Sequence, residues 1–106
     1  MNKTARILDK RVLDTVAMRD AYCDALMELA AGDDKIVAIE TDVAMSMGTA
    51  RFAQRFPDRS INCGIQEANA LSMASGLAIM GFVPFFHSFG VFATRRVFDQ
   101  AFLSCG

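Results

Sequence analysis

The stretch Asn62-Cys63-Gly64-Ile65-Gln66-Glu67-Ala68-Asn69 places one carboxylate just past a short extended run and at the opening of an apolar, alanine-rich helix. Glycine lets a backbone turn sharply out of a strand, so Glu67 is expected at the strand's carboxyl end. In open α/β sheets that edge is where ligands bind. On spacing alone, the ordinary reading of Glu67 is an acid in the first turn of a helix, where the macrodipole favours it.

Working outward, 60–63 reads as a brief strand and 66–80 as a helix closed by Gly81. Upstream, a helix runs from Thr15 or Val16 to Ala31, with Tyr22, Ala25, Leu26, Leu29 and Ala30 on one face. Gly32-Asp33-Asp34 ends it. The β-branched run over 36–39 predicts a strand buried on both faces, with Glu40-Thr41-Asp42 at its carboxyl end. A short helix over 47–56 is closed by the turn Pro57-Asp58-Arg59. Downstream come an aromatic strand over 84–89 and a last helix from Phe92 or Thr94 to Ser104.

Strands alternating with helices through short connections predict the α/β class, a parallel sheet with flanking helices and right-handed crossovers. Residues 1–14 read as a mixed-charge arm and 15–106 as one partial domain. Three parallel strands make a thin sheet, and such sheets need cover on both faces and usually more strands. The chain is therefore expected to be part of a larger domain, or to be completed by a partner.

A net charge of -1 gives no electrostatic case for nucleic acid or an anionic membrane surface. Cys23, Cys63 and Cys105 are odd in number and lack metal-ligand spacing, which favours a reducing cytoplasm. The opening Met1-Asn2-Lys3-Thr4-Ala5-Arg6 is followed by no apolar run and does not read as a secretory signal. The apolar stretch over 68–86 carries Asn69, Ser72, Ser75, Gly76, Gly81 and Pro84, and reads as a buried helix and strand rather than a membrane span.

Several motifs share one order and spacing: Arg19-Asp20-Ala21-Tyr22, Glu40-Thr41-Asp42, Phe56-Pro57-Asp58-Arg59, Gly64-Ile65-Gln66-Glu67, Ala74-Ser75-Gly76-Leu77-Ala78, Pro84-Phe85 and Phe98-Asp99-Gln100. Together they resemble the pyrimidine-binding domain of the transketolase family, most closely the carboxyl-terminal subunit of split transketolases, with 1-deoxyxylulose-5-phosphate synthase next. The resemblance runs from about Thr15 to Ser104.

It implies a partial thiamin diphosphate-binding domain in an enzyme that transfers two-carbon ketol units between sugar phosphates. It implies that Glu67 is the catalytic acid, hydrogen-bonded to the far ring nitrogen of the coenzyme's aminopyrimidine. The protein then supplies position and a proton while the cofactor does the hard chemistry. Phe92 and Phe89 would wall the ring, since a flat heterocycle gains from offset stacking, although both are also ordinary core candidates. Asp42 matches a family aspartate near the cofactor, or else caps the helix that follows. Arg95 falls where related enzymes contact the pocket; the pair Arg95-Arg96, one turn into the last helix, is otherwise a solvated face or a subunit contact. His87 reads as packed and hydrogen-bonded rather than catalytic.

No Gly-Asp-Gly segment or oxygen-ligand cage is present for a metal. The resemblance places Mg2+ and the diphosphate on a partner chain, a diphosphate-binding transketolase subunit, so that this chain is inactive alone. It also implies a homodimer through the helix over 66–80, where Ala70, Ala74 and Ala78 allow close helix approach. Two other readings remain: a non-catalytic assembly module with the same fold, and the β subunit of a 2-oxo acid dehydrogenase, which shares the fold and the glutamate.

Overall fold

The β-branched core of the chain forms the middle of its sheet. In the computed structural model, which describes residues 13–106, β1 (Ile36–Glu40) lies between β2 (Ser60–Asn62) and β3 (Val83–His87), and both pairings are parallel. All five residues of β1 are buried, as a strand covered on both faces requires. The expected arm over 1–14 lies outside the described residues except for Leu13 and Asp14.

The two sheet faces sort by the two-residue period of a strand. Ile36 and Ala38 pack with Cys23, Leu26 and Ala30 of α1 (Met18–Gly32), and with Phe52, which belongs to a short helix defined below. Ile39 faces the other way, onto Ala70 and Ala74 of α4 (Glu67–Ile79), with Phe86 beside it. The predicted face of α1 is thus rotated: Cys23, Leu26 and Ala30 are buried, while Tyr22, Ala25 and Leu29 are exposed. The helix also starts at Met18, after Ala17 in extended backbone. Arg59 closes its other end, donating from Nη1 to the carbonyls of Ala30 and Asp33 at 2.9 Å each. A cation there satisfies orphan carbonyls and favours the negative end of the helix dipole.

Two helices expected to be continuous are broken. Helix begins earlier than the expected 47–56 and is split into α2 (Ala44–Met47) and α3 (Ala50–Arg55), because Gly48 takes φ 79° between them. Phe52 on α3 is fully buried. The last helix divides into α5 (Gly90–Thr94) and α6 (Phe98–Cys105), and Arg95 and Arg96 sit in the break rather than inside a helix. Val97, the next residue, is fully buried and anchors that break. Ser75 on α4 donates to the Ser104 carbonyl, tying α6 to α4. No described helix is long and apolar enough to cross a membrane.

Candidate functional site

The strand register brings three carboxyl ends to one level, since Glu40 pairs with Asn62 on one side and His87 on the other. Beyond those ends lie Thr41 and Asp42, then Cys63 and Gly64, then Ser88 and Phe89. Gly64 has φ 74°, a left-handed turn that glycine adopts without steric cost. Three residues later the chain enters α4 with Glu67 as its first residue.

Asn62 stitches this edge together. Its Oδ1 accepts from the Asp42 and Gly64 backbone N–H groups at 3.0 and 2.9 Å, and its Nδ2 donates to Asp42 Oδ1 at 3.2 Å. Asp42 is a non-glycine residue at φ 64°. It does not cap α2, whose N-cap position is Val43 without a side-chain cap. The amide of Asn62 instead takes its carboxylate and supports the strained backbone.

Glu67 is 4% exposed. Its own backbone N–H holds the carboxyl below its ordinary value of 4.5; desolvation opposes this, and Arg96 and Ser88 add to it. The Arg96 pairing is direct, Nη1 donating to Oε2 at 3.1 Å. The same guanidinium lies over the Phe92 ring, with Cζ 3.9 Å from the centroid. Phe89 meets Phe92 edge-on, centroids 6.2 Å apart and planes at 62°.

Glu67, Phe89, Phe92 and Asp42 all line one cavity of about 280 Å³, with Thr41 and Ser46. That volume falls just below the ~300–1,000 Å³ of pockets that enclose drug-sized ligands. It suits a single ring wedged between an acid and two aromatic side chains. Arg95 lies elsewhere: it borders the neighbouring clefts with Val91, Phe92 and Arg96. Arg96, not Arg95, reaches Glu67. Ile65 lines the cavity though it is exposed, and Ala68 and Leu71 are half-buried.

These features match a known family. The family described as "Transketolase, pyrimidine binding domain" matches residues 14–105. The chain belongs to the transketolase pyrimidine-binding domain family. A 6-deoxy-6-sulfo-D-fructose transketolase subunit, SqwH, of Clostridium sp. (strain MSTE9) is 49% identical over 87 residues, covering 82% of this chain and 27% of that protein. The 1-deoxy-D-xylulose-5-phosphate synthase of Clostridium acetobutylicum (strain ATCC 824) is 38% identical over 80 residues, covering 76% of this chain and 13% of that protein. Among solved structures, a chain described as "Split gene transketolase, inactive beta4 tetramer" superposes with a TM-score of 0.72 at 42% identity, covering 81% of this chain and 29% of that one. The chain thus spans about a quarter of the split-type relatives it matches. Membership implies thiamin diphosphate as the coenzyme.

Within that family fold, a second polar cluster sits on the opposite sheet face. Tyr22 Oη and His87 Nε2 are 2.6 Å apart. His87 Nδ1 approaches Glu40 Oε1 to 3.1 Å without the alignment of a hydrogen bond, and Thr49 donates its hydroxyl to the same oxygen. His87 is buried and partnered, as its position on a strand predicts. Burial, then the nearby Glu40, pushes the Tyr22 phenol up. Thr41 links the two clusters, its hydroxyl lying 3.2 Å from the His87 carbonyl and 3.0 Å from Ser88 Oγ.

Sequence reasoning weighed Arg96 only as half of an arginine pair and passed over Asn62, Thr41, Ser46 and Ser88. Asn62 carried one signal: an amide side chain at a strand end, two residues before a glycine, is a common Asx-type bridge. The others carried none, because their roles come from neighbours distant in sequence.

Proposed function

We propose that this chain supplies the pyrimidine side of a thiamin diphosphate site in a transketolase-like enzyme transferring two-carbon ketol units between sugar phosphates. The observation that carries this reading is a buried glutamate sharing one small cavity with two aromatic rings at the carboxyl edge of a parallel sheet. When bound, the coenzyme supplies the nucleophilic carbon for the transfer.

The chain's own residues bind and orient. Glu67, screened from water, would hold a proton between its carboxyl and the far nitrogen of the aminopyrimidine. Phe92, with Phe89 behind it, offers a face for stacking. Asp42, fixed by Asn62, presents its carboxylate at the cavity rim. Arg95 stands at the mouth of the neighbouring cleft, free to meet an anionic substrate.

Among the described residues no cluster of three or more His, Cys, Asp or Glu side chains converges. In this reading the diphosphate and Mg2+ belong to a diphosphate-binding partner subunit, and the chain is inactive alone. The solved relative described as an inactive β4 tetramer supports that dependence. Met73, Ile79 and Met80 are exposed on and beside α4, which supports a homodimer through the helix over 66–80. The three free cysteines support a reducing, cytoplasmic setting.

Reconstitution with the diphosphate-binding subunit, thiamin diphosphate and Mg2+ tests the reading. Ketol transfer between sugar phosphates, lost on Glu67→Gln, is the expected result. Assembly without turnover would turn the reading into an assembly module, and turnover of a 2-oxo acid into a dehydrogenase subunit.

A further inference from the structure

We propose that Arg96, reaching in from the neighbouring cleft, takes up the Glu67 oxygen and the Phe92 ring that the coenzyme's ring needs, and must swing away before the site can be loaded. The inference rests on the pyrimidine-side reading above. A guanidinium is flat, cationic and rich in N–H donors. It lies 3.9 Å over the Phe92 ring and donates to Glu67 Oε2 at 3.1 Å. Stacking on that phenylalanine and hydrogen bonding to that acid are the two contacts expected of an aminopyrimidine here.

Three further observations favour displacement over a permanent partnership. First, Arg96 keeps an acid ionised that the reaction requires to share a proton with a ring nitrogen, and its presence helps hold that carboxyl low. Second, the Arg96 side chain is 48% exposed, so water can receive the guanidinium at little cost. Third, Arg96 lies in the break between α5 and α6, followed by fully buried Val97. The side chain can rotate about an anchored backbone without unwinding a helix.

Arg96 then acts as a gatekeeping residue. It keeps Glu67 charged when no coenzyme is present, and is displaced in direct competition with the ring. The sign of its effect on binding separates this from a supporting role. A displaced residue weakens coenzyme binding, so its removal tightens it; a supporting residue does the opposite.

The experiment is calorimetric titration of thiamin diphosphate, with Mg2+, into the complex with the diphosphate-binding subunit. Arg96→Ala is expected to tighten binding about three- to tenfold, the worth of one half-exposed ion pair and one cation–π contact. Arg96→Lys, which keeps the charge but not the flat stack, should fall between Ala and the parent. In the chain alone, the Glu67 carboxyl resonance should titrate at higher pH in Arg96→Ala, which reports the pairing without any coenzyme. Unchanged or weaker coenzyme binding by Arg96→Ala overturns the proposal. Phe92→Ala made in the Arg96→Ala background, where no guanidinium competes for the ring, serves as the separate control: if it leaves the affinity untouched, the pyrimidine-side reading itself fails and this inference falls with it. If Phe92→Ala weakens binding while Arg96→Ala also weakens it, the site stands and only the displacement is wrong.

Discussion

Replacing Glu67 with Gln keeps the shape of the side chain and removes the proton it can share. In the reconstituted complex, ketol transfer is expected to drop by about 10²–10⁴-fold, the usual worth of a positioned acid, while assembly measured by sedimentation stays intact. The same carboxyl predicts an acid-sensitive part of stability. It is held below 4.5 in the fold, by its own backbone N–H and then by Arg96 and Ser88, so the ionised form favours folding. That contribution is complete above the ordinary value and fades as pH falls through the depressed one. Urea midpoints of the parent and Glu67→Gln should therefore converge on acidification from pH 7, with the parent higher at neutral pH. At this scale the sequence was legible in placing Glu67, Phe89, Phe92 and Asp42 at one sheet edge, and the structure brings the four into one cavity. Arg95 and Arg96 were interchangeable on paper. Which of the two faces Glu67 depends on a helix break that adjacent arginines do not announce.

The breaks within helices decide the local geometry. Gly48 at φ 79° separates α2 from α3, and a Cβ there would stand 3.2 Å from Arg19 Cγ on α1. Gly48→Ala should cost about 1–2 kcal/mol from the left-handed backbone alone. Phe52→Ala, which empties a fully buried position against α1 and β1, should cost about 3–5 kcal/mol. Chemical denaturation with an unchanged m-value checks both. Strand positions were readable, because β-branched and aromatic runs of a buried parallel sheet have few rivals. That the three strands run parallel with helices on the sheet followed from alternation; their order, with β1 in the middle, did not. The face of α1 did not: Cys23 is small and weakly hydrophobic by eye, yet it is wholly buried, whereas Tyr22 lies partly exposed at the edge of that face and reaches the buried His87 with its hydroxyl. Helix interruptions at Gly48 and at 95–97 were hidden by continuous apolar periodicity.

For the whole molecule, the unmet apolar surface matters most. Phe98, Phe102 and Leu103 on α6 are exposed, with Phe98 and Phe102 stacked 6.4 Å apart, and Ile79 and Met80 lie bare at the end of α4. Surface of this kind marks interaction sites. The chain alone is expected to sediment well above its 11.6 kDa monomer mass, and Phe98→Ser with Phe102→Ser should return it toward monomer without disturbing the buried core. A molecule assembled this way has a slow clock in it. Amide hydrolysis is an ordinary ageing reaction of asparagine, and in Asn62 it would set a new carboxylate against Asp42 where a donor stood before. Repulsion would then loosen the strand tips while both hydrophobic layers survive. An old preparation would keep its circular dichroism spectrum while the rim of the cavity, where Asp42 stands, came apart.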